Sequence, residues 1–174
     1  MDNKKLNEKT YYFQRRKEKG LTRDQACELF STISVDRLER IENNKMIPTP
    51  DDIKEMAEGY KDYQLFNYYC THQCPIGKDY VPKITIKDIS QLVVETLVSL
   101  NQINDNKNRL LEITVDGKIS NSELEDFIKI KKYLDQISIT VESLKLWTEQ
   151  MKSTGSIDEE EYNKLEKQVL NQMD

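Results

Sequence analysis

No apolar run in this 174-residue chain approaches the roughly 18 residues that a membrane-spanning helix needs. The opening MDNKKLNEKT also lacks the apolar stretch of a secretory signal. The two absences predict a cytoplasmic protein. Three cysteines, an odd number, make no disulfide framework, and a reducing compartment keeps them as thiols. A single histidine leaves no credible Ser/His/Asp set, and no Gly-rich phosphate loop follows a strand. Carboxylates abound, but in stretches that read as solvated helix surface. No active site and no cofactor are expected. Five Gly and four Pro are too few for a low-complexity or disordered chain.

What is present is charge and helical periodicity. Charged residues make up 33% and apolar residues 37%, and Lys, Glu, Asp, Leu and Ile recur in helix-compatible patterns. The length suits one domain or two small ones with a real core. Residues 1–50 hold 11 Lys/Arg against 8 Asp/Glu, a net of +3; residues 51–174 hold 15 against 23, a net of −8. A basic beginning on an acidic chain is the balance expected if only the first part meets a polyanion.

The first 60 residues read as four short helices. One runs from near Leu6 to Gly20 with Phe13 on its inner face. Thr22 caps a second, and Gln25 three residues on completes a capping box; Ala26, Leu29 and Phe30 share its inner side. "STIS" breaks the pattern, and Ser34 caps a third helix from Val35 to about Asn43, with Leu38 and Ile41 as its buried edge. Pro48 forbids continuation. Thr49 then caps a fourth helix with Pro50 at its first position, and Ile53, Met56 and Ala57 face inward.

The string "KGLTRDQACELF", followed by "RLERIENNKMIPTPDDI", resembles the Cro/repressor-type (XRE-type) family of helix-turn-helix DNA-binding domains over roughly residues 4–70. That family commonly shows a K-G-L-T opening and I-E-N-G-K-x-x-P after its recognition helix. The resemblance implies that the third helix enters the major groove of double-stranded DNA. Ser34, Asp36, Arg37 and Arg40 would then reach base edges, Arg suiting guanine and Asp accepting from a cytosine amino group. Arg23 and Gln25, with Asn43, Asn44 and Lys45, would hold phosphates. Two departures stand out. The segment Thr22–Ile41 is one residue longer than the family pattern, which predicts an altered turn. The third helix is net acidic, with Asp36, Glu39 and Glu42 against Arg37 and Arg40. The plainer reading of these charges is a solvated helix surface, or pairing between the glutamates and neighbouring arginines.

"NYYCTHQC", residues 67–74, holds the only histidine and two of the cysteines. Tyr60, Tyr63, Leu65, Phe66, Tyr69 and Cys70 predict a fifth helix with an aromatic face, ending around Thr71 to Pro75. Cys70, His72 and Cys74 are three ligands where zinc usually wants four. Cys27 sits among Ala26 and Phe30, so burial is its expected role. The segment is expected to pack rather than bind metal.

Residues 75–87, with two Pro and a Gly, read as an extended linker. Two long helical patterns follow. Ile89, Val93, Thr96, Leu100, Ile103 and Leu110 recur at heptad-like steps, as do Phe127, Ile130, Leu134, Ile137, Val141, Leu144 and Met151. They predict a helical hairpin with Val94, Leu97, Ile139 and Trp147 partly bare. Between them, residues 112–123 have the spacing of a calcium loop, with Gly117 sixth and Glu123 twelfth. The first position is Glu112 rather than Asp and the third is Thr114, which leaves a hard cation too few carboxylates suitably placed, so an Asp-Gly turn capped by Ser120 and Glu123 is expected. "TGSIDEEEY" repeats the logic, with Gly155 ending one helix and Asp158 starting the last.

The sequence therefore predicts an all-α protein: an N-terminal five-helix helix-turn-helix domain (1–74), a linker (75–87) and a C-terminal long-helix hairpin or bundle (88–174) for oligomerisation or sensing. The function expected is a sequence-specific DNA-binding transcriptional regulator, a repressor of phage or mobile-element origin, working as a homodimer through residues 86–151 with no membrane partner. The alternative is a protein-interaction module or anti-repressor that kept the fold without binding DNA. A positive face around Arg23, Arg37, Arg40 and Lys45 favours the first; a face neutralised by Asp36, Glu39 and Glu42 favours the second.

Overall fold

The structure, a computed structural model, describes residues 10–173. Leu6, the expected start of the first helix, lies outside them. Among the described residues there are nine α-helices and no strand. They fall into two compact units. One takes the described residues up to Val81 together with those from Glu149 on, and the other is Pro82–Thr148.

The first unit begins with α1 (Tyr11–Glu18), α2 (Arg23–Cys27), α3 (Val35–Glu42), α4 (Pro50–Tyr60) and α5 (Gln64–His72). Thr10, Thr22, Ser34 and Thr49 cap the first four, each accepting from the backbone N–H three residues on. The Thr22–Gln25 box is complete, and Pro50 occupies the first turn of α4. Tyr12, Ala26, Ile33, Leu38, Ile41, Ile53, Met56, Ala57, Tyr60 and Leu65 form one core. Each large aliphatic side chain removed from water there contributes about 1.5–3 kcal/mol.

Three expectations shift. The inner face of α1 is Tyr12 and Arg16, four residues apart, while Phe13 is half-buried under the Arg16 guanidinium at 5.4 Å. The second helix ends at Cys27, so Leu29 and Phe30 lie in the turn; Leu29 is half exposed. Gly59 makes this possible, because a Cβ there would come within 2.9 Å of Phe30 and 3.1 Å of Leu29. The supposed linker starts with a short helix, α6 (Gly77–Tyr80), against α5. Gly77 lies so close to the Cys70 backbone that any Cβ would collide with it, and its N–H points at Cys74 Sγ. The glycine there serves close packing rather than an extended path.

Tyr68 is the hub of the aromatic face. It stacks on Tyr11 at 4.2 Å and on His72 at 4.3 Å, and meets Tyr12 edge-on. Burial pushes the Cys27 and Cys70 thiols up from their ordinary value. Tyr60 is buried, and its hydroxyl has no hydrogen-bond partner among the described residues. Tyr60→Phe removes that orphaned group while keeping the ring against Phe30. It is expected to stabilise this unit by about 1 kcal/mol. Denaturant unfolding checks this; a loss of stability would mean that the hydroxyl does have a partner.

The end of α8 and all of α9 (Glu159–Met173) belong to this unit. The Gln150 carboxamide accepts from Tyr63 N–H at 3.2 Å and donates to Lys61 C=O at 2.7 Å. It thereby satisfies both sides of the α4–α5 turn, where Lys61 adopts the left-handed conformation (φ 50°). The α9 helix starts on the Asp158 carboxylate, which accepts from Glu161 N–H.

The second unit holds α7 (Ile89–Thr114) and α8 (Leu124–Ser153) up to Thr148. Arg109 Nε meets Asp126 Oδ2 at 2.7 Å across the connection. Asp116 accepts from Lys118 N–H, and Glu123 accepts from the Ser120 N–H and hydroxyl. These carboxylates are engaged in the turn and cap.

The seam between the helices is rotated from the expected one. On α7 the inward positions are Leu92, Thr96, Ser99, Ile103, Asn106, Leu110 and Ile113, which keep Thr96, Ile103 and Leu110 but replace Val93 by Leu92 and Leu100 by Ser99. On α8, Ile130, Thr140, Ser143 and Leu146 are buried, while Leu134, Val141 and Leu144 are exposed. Thr96, Ser99, Asn106, Thr140 and Ser143 satisfy themselves by donating to carbonyls of their own helix. Small residues that bond backward to their own helix lose little by facing inward, and the larger apolar residues turn outward.

Candidate nucleic-acid interface

The helix expected to read DNA is α3. Leu38 and Ile41 anchor it, fully buried. Ser34 Oγ accepts from Arg37 N–H at its start. The far end closes with Asn44 at φ 57°, Asn44 N–H bonded to Ile41 C=O and Lys45 N–H to Arg40 C=O. This is a Schellman arrangement whose left-handed position usually takes Gly. The family pattern has Gly there, and Asn is the substitute that tolerates the conformation best.

The turn before α3 is held by a side chain from α4. Glu55 accepts from Ser31 N–H, Thr32 N–H and Thr32 Oγ1 at 2.7–2.9 Å. The Thr32 hydroxyl and these backbone donors hold its carboxyl below its ordinary value. The longer turn is thus organised rather than loose.

Beneath the helix lies a buried charge cluster that sequence reasoning missed. Glu42 is completely buried and takes Arg16 in a bidentate pair, Nε at 2.5 Å and Nη2 at 2.8 Å. Arg23 Nε adds a third bond at 2.8 Å, and Arg16 Nη1 donates to Leu21 C=O. Glu42 is therefore no surface acid. Its place was available from spacing: Leu38, Ile41 and Glu42 are i, i+3 and i+4, one face of a helix. Arg16 stands four residues after Tyr12 in the same way.

The expected contact residues divide accordingly. Arg37 is half-buried rather than exposed: its Nε and Nη2 grip both oxygens of buried Asp52 at 2.7 Å. Asp52 also accepts from Thr49 N–H and hydroxyl as the capping box of α4. Burial alone would raise the Asp52 carboxyl, but the Arg37 and Thr49 hydrogen bonds outweigh it and hold it below its ordinary value. Arg37 thus ties α3 to the start of α4. Arg23 is drawn to Glu42, with Glu39 at 3.7 Å. Gln25 is exposed with its carbonyl oxygen engaged in the capping box. Asn43 donates to Glu39 at 3.3 Å. Asp36, Arg40, Asn44 and Lys45 are exposed, and the side chains of Asp36, Arg40 and Lys45 make no hydrogen bond or ion pair among the described residues. Of the two arginines expected on the reading face, Arg40 is the one presented to solvent.

The cysteine segment is not brought into any comparable cluster. His72 is exposed with Nδ1 3.0 Å from Tyr68 C=O, and Cys70 and Cys74 are half-buried thiols. Among the described residues no group of three or more His, Cys, Asp or Glu side chains is placed to hold a metal ion.

Residues 14–64 match the helix-turn-helix family model. That match and the α2–turn–α3 geometry make the N-terminal part of the chain a helix-turn-helix domain of the XRE type, a module typical of DNA-binding regulators. No curated protein and no solved structure matches the chain significantly. No helix of the described residues is long and apolar enough to cross a membrane.

Proposed function

We propose that this protein is a sequence-specific DNA-binding transcriptional regulator, a repressor that acts by occupying its operator and is of phage or mobile-element origin. It works in the cytoplasm as a homodimer through residues 86–151. The observation that carries the reading is the presentation of α3: both ends capped, Leu38 and Ile41 seated in the core, and Ser34, Asp36 and Arg40 turned outward in a domain of the XRE type. Arg40 and Asp36 are the base readers in this account, and Asn44 and Lys45 the phosphate contacts. Arg37 and Arg23 act mainly by positioning α3, through Asp52 and Glu42.

A second reading has one observation in its favour. Two of the four cations that would make the face positive are held by internal carboxylates, while Asp36 and Glu39 remain exposed. A face so balanced suits a protein partner, as in an anti-repressor.

Sequencing the fragments that the full-length protein retains from its own genome, followed by gel-shift titration at several salt concentrations, separates the two. The regulator reading expects an enriched inverted repeat with half-sites one helical turn, roughly 34 Å, apart. It also expects affinity that falls steeply with salt. No enrichment over bulk DNA, with no shift even at low salt, sinks it and leaves the protein-interaction reading.

A further inference from the structure

The second unit wears its large apolar side chains on the outside. Val93, Leu97 and Leu100 of α7 and Leu134, Val141 and Leu144 of α8 are each 42–55% exposed. They recur at three-, four- and seven-residue steps, each set about one residue around its helix from the inward seam. On the opposite side of the hairpin is an open groove of about 410 Å³ lined by Val94, Glu95, Val98, Gln102, Lys132 and Tyr133 among others, with the two valines also exposed. Helical register therefore puts both apolar stripes on the single face away from that groove.

We propose that this face docks a second copy of the chain, so that two hairpins close a two-fold four-helix bundle. The proposal rests on the homodimer reading above and sharpens it, placing the interface on the hairpin's outer face rather than in its seam.

Three features select a second copy over another occupant. The first is spacing. Stripes with coiled-coil steps on two antiparallel helices call for two helices with the same steps, and a two-fold axis supplies them from an identical chain. The second is charge. Residues 82–148 hold nine Lys/Arg against ten Asp/Glu, a net of −1, so nothing draws a strongly charged partner or keeps copies apart. Charges along α8, Lys131 with Asp135 and Lys145 with Glu142, are already paired within the helix, which suits the polar rim of an interface. The third is area. Six such half-exposed side chains put roughly 500 Å² of apolar surface on one side, near the top of what an ordinary monomer leaves in one patch. Two such faces with their rims reach on the order of the 1,200–2,000 Å² of a specific interface.

The test is light scattering of the full-length chain at micromolar concentration, with circular dichroism to confirm helix content. The native chain is expected at the mass of two copies. Leu97→Glu with Leu100→Glu is expected to give one copy with helix content unchanged. Val94→Glu with Val98→Glu, equally exposed but on the groove side, is expected to stay at two. Val141→Lys alone is the second probe, from α8, and is expected to weaken association at least tenfold; it decides the matter if the double variant loses helix. A native monomer, or two copies persisting in both outer-face variants, overturns the proposal. Gel-shift on the same samples keeps it apart from the DNA reading. A dimer through this face that ignores DNA removes the regulator and leaves the interface, whereas a monomer that binds an operator does the reverse.

Discussion

Glu42→Ala should cost the helix-turn-helix domain roughly 3–5 kcal/mol, the penalty for stripping one partner from a buried ion pair. The Arg16 guanidinium would be left buried and uncompensated, and Arg23 would lose its anchor. Domains of this kind are stable by about 5–15 kcal/mol in total, so the variant is expected to be unfolded or close to it. Chemical denaturation followed by far-ultraviolet circular dichroism measures this. The mechanism makes a second demand. Glu42→Leu combined with Arg16→Met removes both buried charges and should recover most of the loss, because the cost lies in leaving one charge unpaired. If Glu42→Ala melts like the native chain, the cluster is not the keystone described here.

Arg37→Ala and Arg40→Ala should fail in opposite ways, although they are three residues apart on one helix. Arg37→Ala leaves the buried Asp52 carboxylate without its bidentate partner and is expected to lower stability by about 2 kcal/mol. Its effect on DNA should be secondary to that loss. Arg40→Ala touches no internal partner among the described residues and should leave the melting curve unchanged. Its operator affinity should fall roughly 5- to 150-fold, the range for one arginine–guanine contact of about 1–3 kcal/mol. The pair is read by thermal melts alongside gel-shift titrations. Unchanged DNA affinity in Arg40→Ala, at native stability, removes Arg40 from the reading face; a large DNA defect in Arg37→Ala at native stability restores Arg37 to it.

The order and type of the N-terminal helices were legible because they are written in local chemistry. Thr22, Ser34, Thr49 and Pro50 announce helix starts by themselves, and Leu38, Ile41, Ile53 and Met56 mark inner faces by period alone. What each arginine does was not legible, because it depends on partners distant in sequence. Arg37 is decided by Asp52, fifteen residues on, and Arg16 by Glu42, twenty-six residues on. Counting Glu42 as surface charge made α3 look more acidic than the side it turns to solvent. The hairpin register failed for a different reason. A rule that sends the largest apolar residues inward ignores hydroxyls that bond back to their own helix, and Ser99, Thr140 and Ser143 took the places assigned to Leu100, Val141 and Leu144. The α6 helix was hidden by Gly77, a residue equally at home in a linker and in a tight contact.

The two hydrogen bonds from the Gln150 carboxamide set an order of events during synthesis. Lys61 and Gln150 are 89 residues apart, with all of α7 and most of α8 made between them. At ribosomal rates of about 5–20 residues per second, the α4–α5 turn waits roughly 4–18 seconds for the side chain that ties it. In that interval the newborn helix-turn-helix domain is without one of its fastenings. A nascent chain halted before Gln150 should therefore be cut by protease near Lys61 far more readily than one halted after it.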